Sequence, residues 1–405
     1  MPEAVIVGWA RSPIGRAFKG SLTSIRPDDL LAQIVTAALA KVPELDPSQV
    51  EDLIVGCGLP GGEQGFNIAR VTAVMLGLDG VPGTTVNRYC SSSLQSTRMA
   101  YHAIKAGEGD VFISAGVETV SRFVKGSSDS LPDTKNPLFT GAEARTAATA
   151  EAETPWHDPR ADDEVPDIYI AMGQTAENLA ALRGITRAEQ DEFGVRSQNL
   201  AEKALADGFW QREITPVTLP DGSVVSADDG PRAGTTLEKT AALKPVFREH
   251  GTVTAGNCCP LNDGAAALIV MSDVKAASLG LTPLARIVST GVSALSPEIM
   301  GLGPVEASRQ ALRRAGMAIS DVDLVEINEA FAAQVIPSYQ DLGIDLARLN
   351  VNGGAIAVGH PFGMTGARIA STLMNSLQFH DKTIGLETMC VGGGQGMAMI
   401  FERLN

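Results

Sequence analysis

Short apolar runs alternate with helical patterns along this chain, and that alternation limits the folds open to it. Strand-like runs at 4–10 and 50–56 are each followed by a segment with helical periodicity. A third run, 83–87, leads directly into a helical pattern over 91–106. Strands that alternate with helices are typical of a mainly parallel sheet covered on both faces. The sequence therefore predicts an α/β fold.

The regular pattern breaks between about residues 121 and 251. Residues 127–166 are crowded with proline, acidic residues and alanine and show little periodicity, before helical segments return at 172–183 and 187–207. Asp221-Gly222 is a hairpin signal. A structureless loop of this length inside a compact domain is improbable unless it is functional. We expect an inserted loop domain.

The pattern resumes at Gly251 and suggests an internal repeat. Residues 48–55 and 320–327 share the order helix, short acidic turn, strand. Two similar βαβ-type halves joined by an insertion describe this economically, although any two βαβ units would look somewhat alike. The predicted domains are an N-terminal α/β half (1–120, completed by about 252–272), a loop domain (121–251) and a C-terminal α/β half (273–405).

Composition excludes several classes of protein. The 405 residues carry a net charge of −15, which argues against binding to nucleic acid or to anionic membranes. The first eight residues read as a strand rather than a signal peptide, and no apolar run approaches the length of a membrane helix. Five scattered cysteines indicate a reduced, cytoplasmic protein, and none is spaced as a zinc ligand set.

Cys90 is the first candidate for chemistry. It follows the strand ending at 87 and precedes Ser91, Ser92 and the helical pattern closed by Gly107. Unpaired backbone N–H groups and the helix dipole favour negative charge at such a turn. We therefore expect a thiol that ionises more easily than usual and acts as a nucleophile.

His360 and Cys390 lie in two further glycine-rich segments. Glycines flank His360 in the segment 352–363, where we expect a strand-to-helix turn and a neutral imidazole able to take a proton. A buried histidine satisfied by backbone is an equal reading. Cys390 precedes Gly392 to Gly394 at a strand end, where backbone N–H groups could hold an oxyanion. A small buried hydrophobe is the competing reading.

Two more segments complete the candidates. Asn328 directly follows the strand 324–327. An amide side chain at this position could orient water or a carbonyl. Capping of the next helix is the competing interpretation. Residues 251–264 form a glycine-punctuated strand and turn before an expected small-residue helix. Two cysteines and one histidine in separate turns favour acyl transfer through a thiol. No dinucleotide or Walker motif is present.

Taken together, these segments resemble the thiolase family, the 3-ketoacyl-CoA thiolases and acetyl-CoA acetyltransferases. The resemblance covers essentially the whole chain, in the family's order and approximate spacing. It is carried by six segments: 87–92, 172–178, 251–264, 328–332, 353–366 and 390–396. It implies two similar halves in a five-layered αβαβα arrangement with an inserted loop domain, no metal, and coenzyme A as a substrate rather than a cofactor.

The resemblance also implies roles for individual residues. Cys90 resembles the nucleophile that takes the acyl group, His360 its activating base, and Cys390 the acid/base that moves a proton. Asn328 would hold a water that, with His360, stabilises the thioester oxygen. The backbone N–H groups of Cys90 and Gly392 would form a second oxyanion site.

Other positions resemble substrate-binding residues. Met172 and Phe331 resemble residues lining the pantetheine and acyl pocket. Cys259 stands where members carry small residues near the pantetheine, and its thiol is a poorer hydrogen-bond partner. Ser93 replaces a frequent glycine. Against the acidic background, we expect a basic patch for the CoA phosphates, with five candidates in the loop domain: Arg212, Arg232, Lys239, Lys244 and Arg248.

The predicted function is thiolytic cleavage of 3-ketoacyl-CoA by CoA through an acyl-Cys90 intermediate, in a degradative pathway such as β-oxidation. Ala171 favours this direction, because small-substrate members typically show histidine before the equivalent of Met172. Alternatives are a biosynthetic acetoacetyl-CoA thiolase, a ketoacyl synthase of the same superfold, and a non-catalytic acyl-CoA-binding protein. The resemblance suggests a homodimer or homotetramer, or a partner subunit of a β-oxidation complex.

Overall fold

A computed structural model describes residues 1–123, 134–152 and 154–405. The β-strands are β1 (Ala4–Arg11), β2 (Gly15–Arg16), β3 (Asp52–Gly56), β4 (Gly83–Val86), β5 (Val111–Thr119), β6 (Val217–Thr218), β7 (Val224–Val225), β8 (Asn262–Ser272), β9 (Ala285–Ala294), β10 (Leu324–Ile327), β11 (Ile384–Val391) and β12 (Gln395–Arg403). The α-helices are α1 (Pro27–Leu39), α2 (Ile68–Met75), α3 (Ser92–Ala106), α4 (Thr140–Ala152), α5 (Met172–Arg183), α6 (Arg187–Ala206), α7 (Leu237–Ala241), α8 (Asp273–Ser278), α9 (Gly303–Ala315), α10 (Ala332–Leu342), α11 (Ala355–Val358) and α12 (Thr365–Phe379).

The main sheet repeats one arrangement of strands. In the first half β3 and β5 are parallel, and β8 and then β1 continue antiparallel. In the second half β10 and β11 are parallel, and β12 and then β9 continue antiparallel. Among the described residues, β1 and β9 connect the two halves of the sheet at two residue pairs, Val5 with Arg286 and Ile6 with Ala285. The predicted internal repeat is confirmed by this shared topology.

Helices and sheet halves stack in five layers. One apolar cluster joins α1 and α2 to the first sheet half, and another joins α9 and α10 to the second. A third cluster contains residues of both halves together with α3 and α12, so these two helices form the central layer. Strands β5 and β8 are buried along their whole length, as expected of strands covered on both faces. The predicted fold class is confirmed.

Glycines allow close packing in the central layer. A Cβ atom on Gly366 would lie 2.2 Å from the backbone nitrogen of Leu94, and one on Gly116 would lie 2.1 Å from the carbonyl oxygen of Gly363. Neither contact is compatible with a larger side chain, because backbone atoms cannot move aside as a flexible side chain can. This packing holds the start of α12 against the start of α3 and the end of β5.

The structure corrects several expectations about local structure. The run of small residues after Gly264, expected to form a helix, lies in β8, because this fully buried run fills a central strand. Helix α4 was missed, since its alanine-rich sequence has almost no apolar periodicity. Residues 127–133 and 153 of the expected irregular segment lie outside the described residues. The hairpin at Asp221-Gly222 is confirmed, between β6 and β7.

The domain boundaries at 120, 251 and 272 stay predictions. Strand β8, which follows the long excursion in the chain, inserts between β1 and β5 of the first half. In the described segments no helix has the length and apolar character needed to cross a membrane.

Candidate active site

Cys90 lies in a 3-10 turn, Tyr89–Ser91, that links β4 to α3. Tyr89 adopts a left-handed backbone conformation (φ 42°). The turn is held by the Ser92 hydroxyl, which donates to Tyr89 O (2.7 Å) and accepts from the N–H of Arg88 (2.9 Å). The turn also packs against β11 and α12. The small hydroxyl residues after Cys90 therefore close the turn locally.

The thiol of Cys90 is almost fully buried, and this corrects the expected acidity. Burial raises its pKa to about 11, although hydrogen bonds from the backbone N–H groups of Gly392 and of Cys90 itself pull it down. The nearby carboxylate of Glu118 adds to the increase. The turn alone therefore does not ionise the thiol, and a base is required to take its proton.

His360 is 1% exposed and lies between α11 and α12, so it follows a short helix rather than the expected strand. Its Nδ1 lies 2.6 Å from Thr365 Oγ1, and that hydroxyl donates to Pro361 O (2.7 Å). Thr365 Oγ1 must then accept, which places the ring hydrogen on Nδ1. Nε2 then carries no hydrogen, and its lone pair is an acceptor. The side chain of Asn262 accepts from the His360 N–H (2.9 Å) and fixes the backbone there.

Burial lowers the pKa of His360 to about 3, and the positive charge of Arg368 adds to this effect. The imidazole is therefore neutral near pH 7. A neutral ring whose Nε2 carries no hydrogen can accept a proton there. This is the protonation form expected from the sequence.

Asn328 follows β10, and its N–H continues the ladder by donating to Thr388 O (3.0 Å). Its Nδ2 lies 3.3 Å from His360 Nε2. The next helix, α10, begins at Ala332 after Phe331, so Asn328 is not a helix cap. Its Oδ1 is buried, and no described residue donates to it. A buried acceptor of this kind is suited to a water or a substrate donor.

Cys390 lies within β11 and is fully buried. Burial raises its pKa well above the ordinary value, and the neighbouring Cys90 raises it further. The two sulfurs therefore lie close enough to influence each other's charge. A Cβ atom on Gly392 would lie 3.4 Å from the Tyr89 ring and 3.7 Å from the sulfur of Met172. The structure thus brings Cys90, Cys390 and Gly392 together at one point.

Two groups around this point were not foreseen from the sequence. The buried Glu118, at the end of β5, accepts from the backbone N–H groups of Gly58 (2.7 Å) and Gly363 (2.8 Å). It therefore ties the loop after His360 to the first half of the fold. Arg88 donates to Gln395 Oε1 (2.8 Å), and Gln395 Nε2 donates to Gly392 O (3.3 Å). An acid within an otherwise apolar buried strand was the available signal for Glu118.

An apolar cluster of packed side chains contains Cys390. Phe331 belongs to this cluster, and Met172 and Cys259 pack against it. The N–H of Cys259 donates to Ala330 O (3.0 Å), and the Phe331 ring lies 6.1 Å from that of Phe247 in an edge-to-face arrangement. This packing joins three segments of the chain, around Phe247, Cys259 and Phe331.

A cavity of about 360 Å³ leads from Cys258 and Cys259 toward the surface, and Arg232 lines it. Arg16 and Lys19 also line it and were missed, because nothing in their local sequence indicates a ligand. Burial lowers the pKa of Arg232, and the charge of Arg16 adds to this. Two cations that repel each other beside a cavity favour an anionic occupant.

The other basic candidates are dispersed. Lys239 lines a neighbouring cavity that also includes Arg232. Arg248 donates to Gln174 (2.9 Å) and Asn178 (2.6 Å), and Arg212 donates to Gln378 (2.7 Å). Arg212, Lys244 and Arg248 line neither of these two cavities. Within the described residues, no group of three or more His, Cys, Asp or Glu side chains could hold a metal ion.

The two buried cysteines and the neutral histidine of this five-layered α/β fold are residue types suited to thiol-dependent acyl transfer. The family models for the thiolase N-terminal domain and the thiolase C-terminal domain match residues 4–274 and 281–403. The chain belongs to the thiolase family. The resemblance noted in the sequence is confirmed.

Relatives and solved structures match along the whole chain. A 3-ketoacyl-CoA thiolase of Bacillus subtilis is 42% identical over 99% of this chain and 100% of its own length. A 3-oxoadipyl-CoA/3-oxo-5,6-dehydrosuberyl-CoA thiolase of Escherichia coli is 43% identical over 100% of both chains. The dimeric peroxisomal thiolase of Saccharomyces cerevisiae superposes with a TM-score of 0.87 at 35% identity, covering 99% of this chain and 97% of its own.

Proposed function

We propose that this protein is an acetyl-CoA C-acyltransferase that cleaves 3-ketoacyl-CoA with CoA, giving acetyl-CoA and a shortened acyl-CoA. The observation that carries the proposal is the pairing of four residues from four separate segments, with Cys90 beside Cys390 and Asn328 in contact with His360. Each is buried, and each is held by its own turn or strand. The names of the curated relatives support the same reaction.

The first half-reaction forms the acyl-enzyme. His360 Nε2 takes the proton of Cys90, whose sulfur attacks the 3-keto carbon of the substrate. The C2–C3 bond then breaks, and the electron pair stays on C2 of the departing acetyl-CoA. Cys390 donates its proton to that carbon, so acetyl-CoA leaves neutral and Cys390 remains as a thiolate. The raised pKa of Cys390 suits it to hold this proton until the carbanion forms.

In the second half-reaction Cys390 acts as the base and His360 as the acid. The Cys390 thiolate takes the proton of free CoA, and the CoA sulfur attacks the acyl group on Cys90. The tetrahedral intermediate collapses to release acyl-CoA, and the proton held on His360 returns to Cys90. Two oxyanion sites would stabilise the charge: the N–H groups of Cys90 and Gly392, and the Asn328–His360 pair acting with a water. Hydrogen bonds rather than a metal would carry this stabilisation.

We assign the cavity lined by Arg16, Lys19 and Arg232 to coenzyme A. Its phosphates would meet the three cations, and its pantetheine would pass Cys259 and Phe247 toward Cys90. Met172 and Phe331, in the apolar cluster around Cys390, would contact the reacting end of the substrate. Electrostatic attraction at this cavity is needed because the chain as a whole is acidic.

We favour a degradative role on acyl groups longer or bulkier than acetoacetyl. Ala171 offers no side-chain hydrogen bond before Met172, where a polar residue would contact a small substrate. The biosynthetic direction remains the alternative. A series of 3-ketoacyl-CoA substrates distinguishes them: kcat/KM should rise from acetoacetyl-CoA to medium chains. Comparable values across the series would contradict the degradative assignment.

We further propose a cytoplasmic homodimer. Strand β4 is an edge of the main sheet and its residues are only partly buried, so it can pair with a second copy. Phe66, just before the neighbouring α2, and Met75, its last residue, are both exposed. The dimeric yeast structure supports this state. Light scattering tests it, and a tetramer or a β-oxidation complex would appear as a larger species.

The decisive assay is acetyl-CoA release from a 3-ketoacyl-CoA in the presence of CoA. Cys90→Ala should abolish release, and Cys390→Ala should reduce it severely. If the native protein binds 3-ketoacyl-CoA but releases no acetyl-CoA, only the non-catalytic role is left. Decarboxylation of a malonyl thioester without thiolysis would instead indicate a ketoacyl synthase.

A further inference from the structure

Two buried glutamates lie side by side beneath the candidate site. Glu326 on β10 is directly opposite Glu387 on the parallel strand β11. They are 3% and 0% exposed. Leu324 and Met389, on the same strand faces, belong to the apolar cluster of the central layer. Both carboxyl groups therefore point toward α12.

The side chain of Arg368, on α12, is buried in the same layer and is 1% exposed. No described residue accepts a hydrogen bond from its three nitrogens, and no described residue donates to either oxygen of Glu387. Buried charged groups without protein partners are normally hydrogen-bonded by internal water. Within the described residues the Arg368 guanidinium therefore makes no direct hydrogen bond to the glutamate pair, although its charge acts on both glutamates.

The number of charges in this cluster limits the protonation state of the two glutamates. Two carboxylates directly opposite each other on neighbouring strands repel, and an uncompensated buried charge is costly. One guanidinium compensates one carboxylate, so the neutral composition carries a single proton shared by the two glutamates. The other charges acting on the group are Arg11, Arg196, Glu213 and Glu329. Arg11 and Glu213 pair with each other (2.9 Å).

The group is connected to the reacting residues at both ends. Asn328, two residues after Glu326, contacts His360. Thr365, one turn before Arg368 on α12, holds the other nitrogen of the His360 ring. We propose that Glu326, Glu387 and Arg368 form a buried proton-sharing triad that sets the charge experienced by His360, and so the readiness of Cys90 to ionise. This role rests on the proposed function of Cys90 and His360.

The electrostatics of the described residues agree with the triad. Burial raises the pKa of Glu326 to about 8, with the charge of Arg368 opposing the rise. Burial also raises the pKa of Glu387 well above the ordinary value, and the charge of Glu326 adds to that rise. Below about pH 8 both carboxyl groups are therefore protonated, and the triad carries the positive charge of Arg368. Above it Glu326 is ionised and the triad is neutral, which favours the protonated imidazole and hence transfer of the Cys90 proton to His360. The reactivity of Cys90 should therefore increase by an extra step as the pH passes about 8.

Alkylation of Cys90 by iodoacetamide, followed by mass spectrometry between pH 6 and 10, measures this step without turnover. In the native protein we expect an extra increase of about tenfold, equivalent to one pKa unit of interaction. Glu326→Gln lacks the carboxyl group that ionises near pH 8 and should remove the step. The control Glu402→Gln removes a carboxylate that pairs with Arg286 on the surface of β12 and should retain it.

The same step in Glu326→Gln and in the native protein would overturn the proposal. If Glu326→Gln does not fold, infrared spectra of the native protein give the answer. A protonated carboxylic acid whose signal disappears as the pH passes about 8 supports the triad. Absence of a carboxylic acid that titrates there overturns it. Neither measurement depends on thiolase activity, so a failure of the proposed function would be seen separately as absent acetyl-CoA release.

Discussion

His360 Nδ1 lies 2.6 Å from the hydroxyl of Thr365, and that hydroxyl is in turn committed to Pro361 O. This relationship fixes the ring tautomer in which Nδ1 carries the hydrogen and Nε2 carries none. Thr365→Val keeps the shape of the side chain but removes the acceptor. We predict a loss of about 10- to 100-fold in kcat/KM, the range seen when a partner that orients a functional histidine is removed. Thr365→Ser should restore most of the activity, and an inactive Thr365→Ser variant would contradict an orienting role.

The contact between the two central helices predicts a stability effect. In Gly366→Ala the new Cβ would lie 2.2 Å from Leu94 N, so the helices must separate. We expect unfolding to become easier by about 1–3 kcal/mol, the usual cost of overpacking. Gly80→Ala is the matched control, because no atom lies within 4 Å of its Cβ position. Equal denaturation midpoints for the two variants would refute the packing described for this layer.

The cavity assigned to coenzyme A predicts a charge effect. Arg16→Ala and Arg232→Ala should each raise the KM for CoA by about tenfold, the value of one charge-assisted hydrogen bond, with little change in kcat. Arg212→Ala should leave the KM unchanged, since this side chain contacts Gln378 and Phe379 instead. The native KM should also rise with ionic strength. A KM indifferent to salt and to both substitutions would show that the phosphates lie elsewhere.

Burial of Glu326 predicts a pH-dependent stability. Its folded pKa is about 8, above the ordinary value of 4.5, so the folded state binds more protons between these values. Its contribution is therefore lost as the pH rises through this window, by up to about 1.4 kcal/mol per pH unit. Glu326→Gln cannot ionise, and its stability should overtake that of the native protein toward pH 8 and above. Parallel denaturation curves across pH would contradict this.

Much of the fold was predictable because strand and helix patterns differ in period. The turns at Cys90 and the strand before Asn328 were visible in the same way, since each ends an apolar run. Strand β8 was misread because its small, uniformly buried residues carry no alternation. Helix α4 was missed because its polar and alanine-rich sequence has no apolar face.

The electrostatics of the site could not be predicted from the sequence. A turn at a helix start suggested an acidic thiol at Cys90, yet burial dominates and raises its pKa to about 11. Burial depends on contacts with Gly392 and other residues about 300 positions away in the chain. The anchoring role of Glu118 and the cavity position of Arg16 depend on the same long-range packing.

The most direct test is to trap the acyl group. Native protein mixed with a 3-ketoacyl-CoA in the absence of CoA, quenched rapidly and digested, should carry the shortened acyl group on the peptide containing Cys90. One equivalent of acetyl-CoA should be released, and adding CoA should remove the group as acyl-CoA. An acyl group on another of the five cysteines, or full activity of Cys90→Ala, would contradict the assignment of Cys90 as the nucleophile.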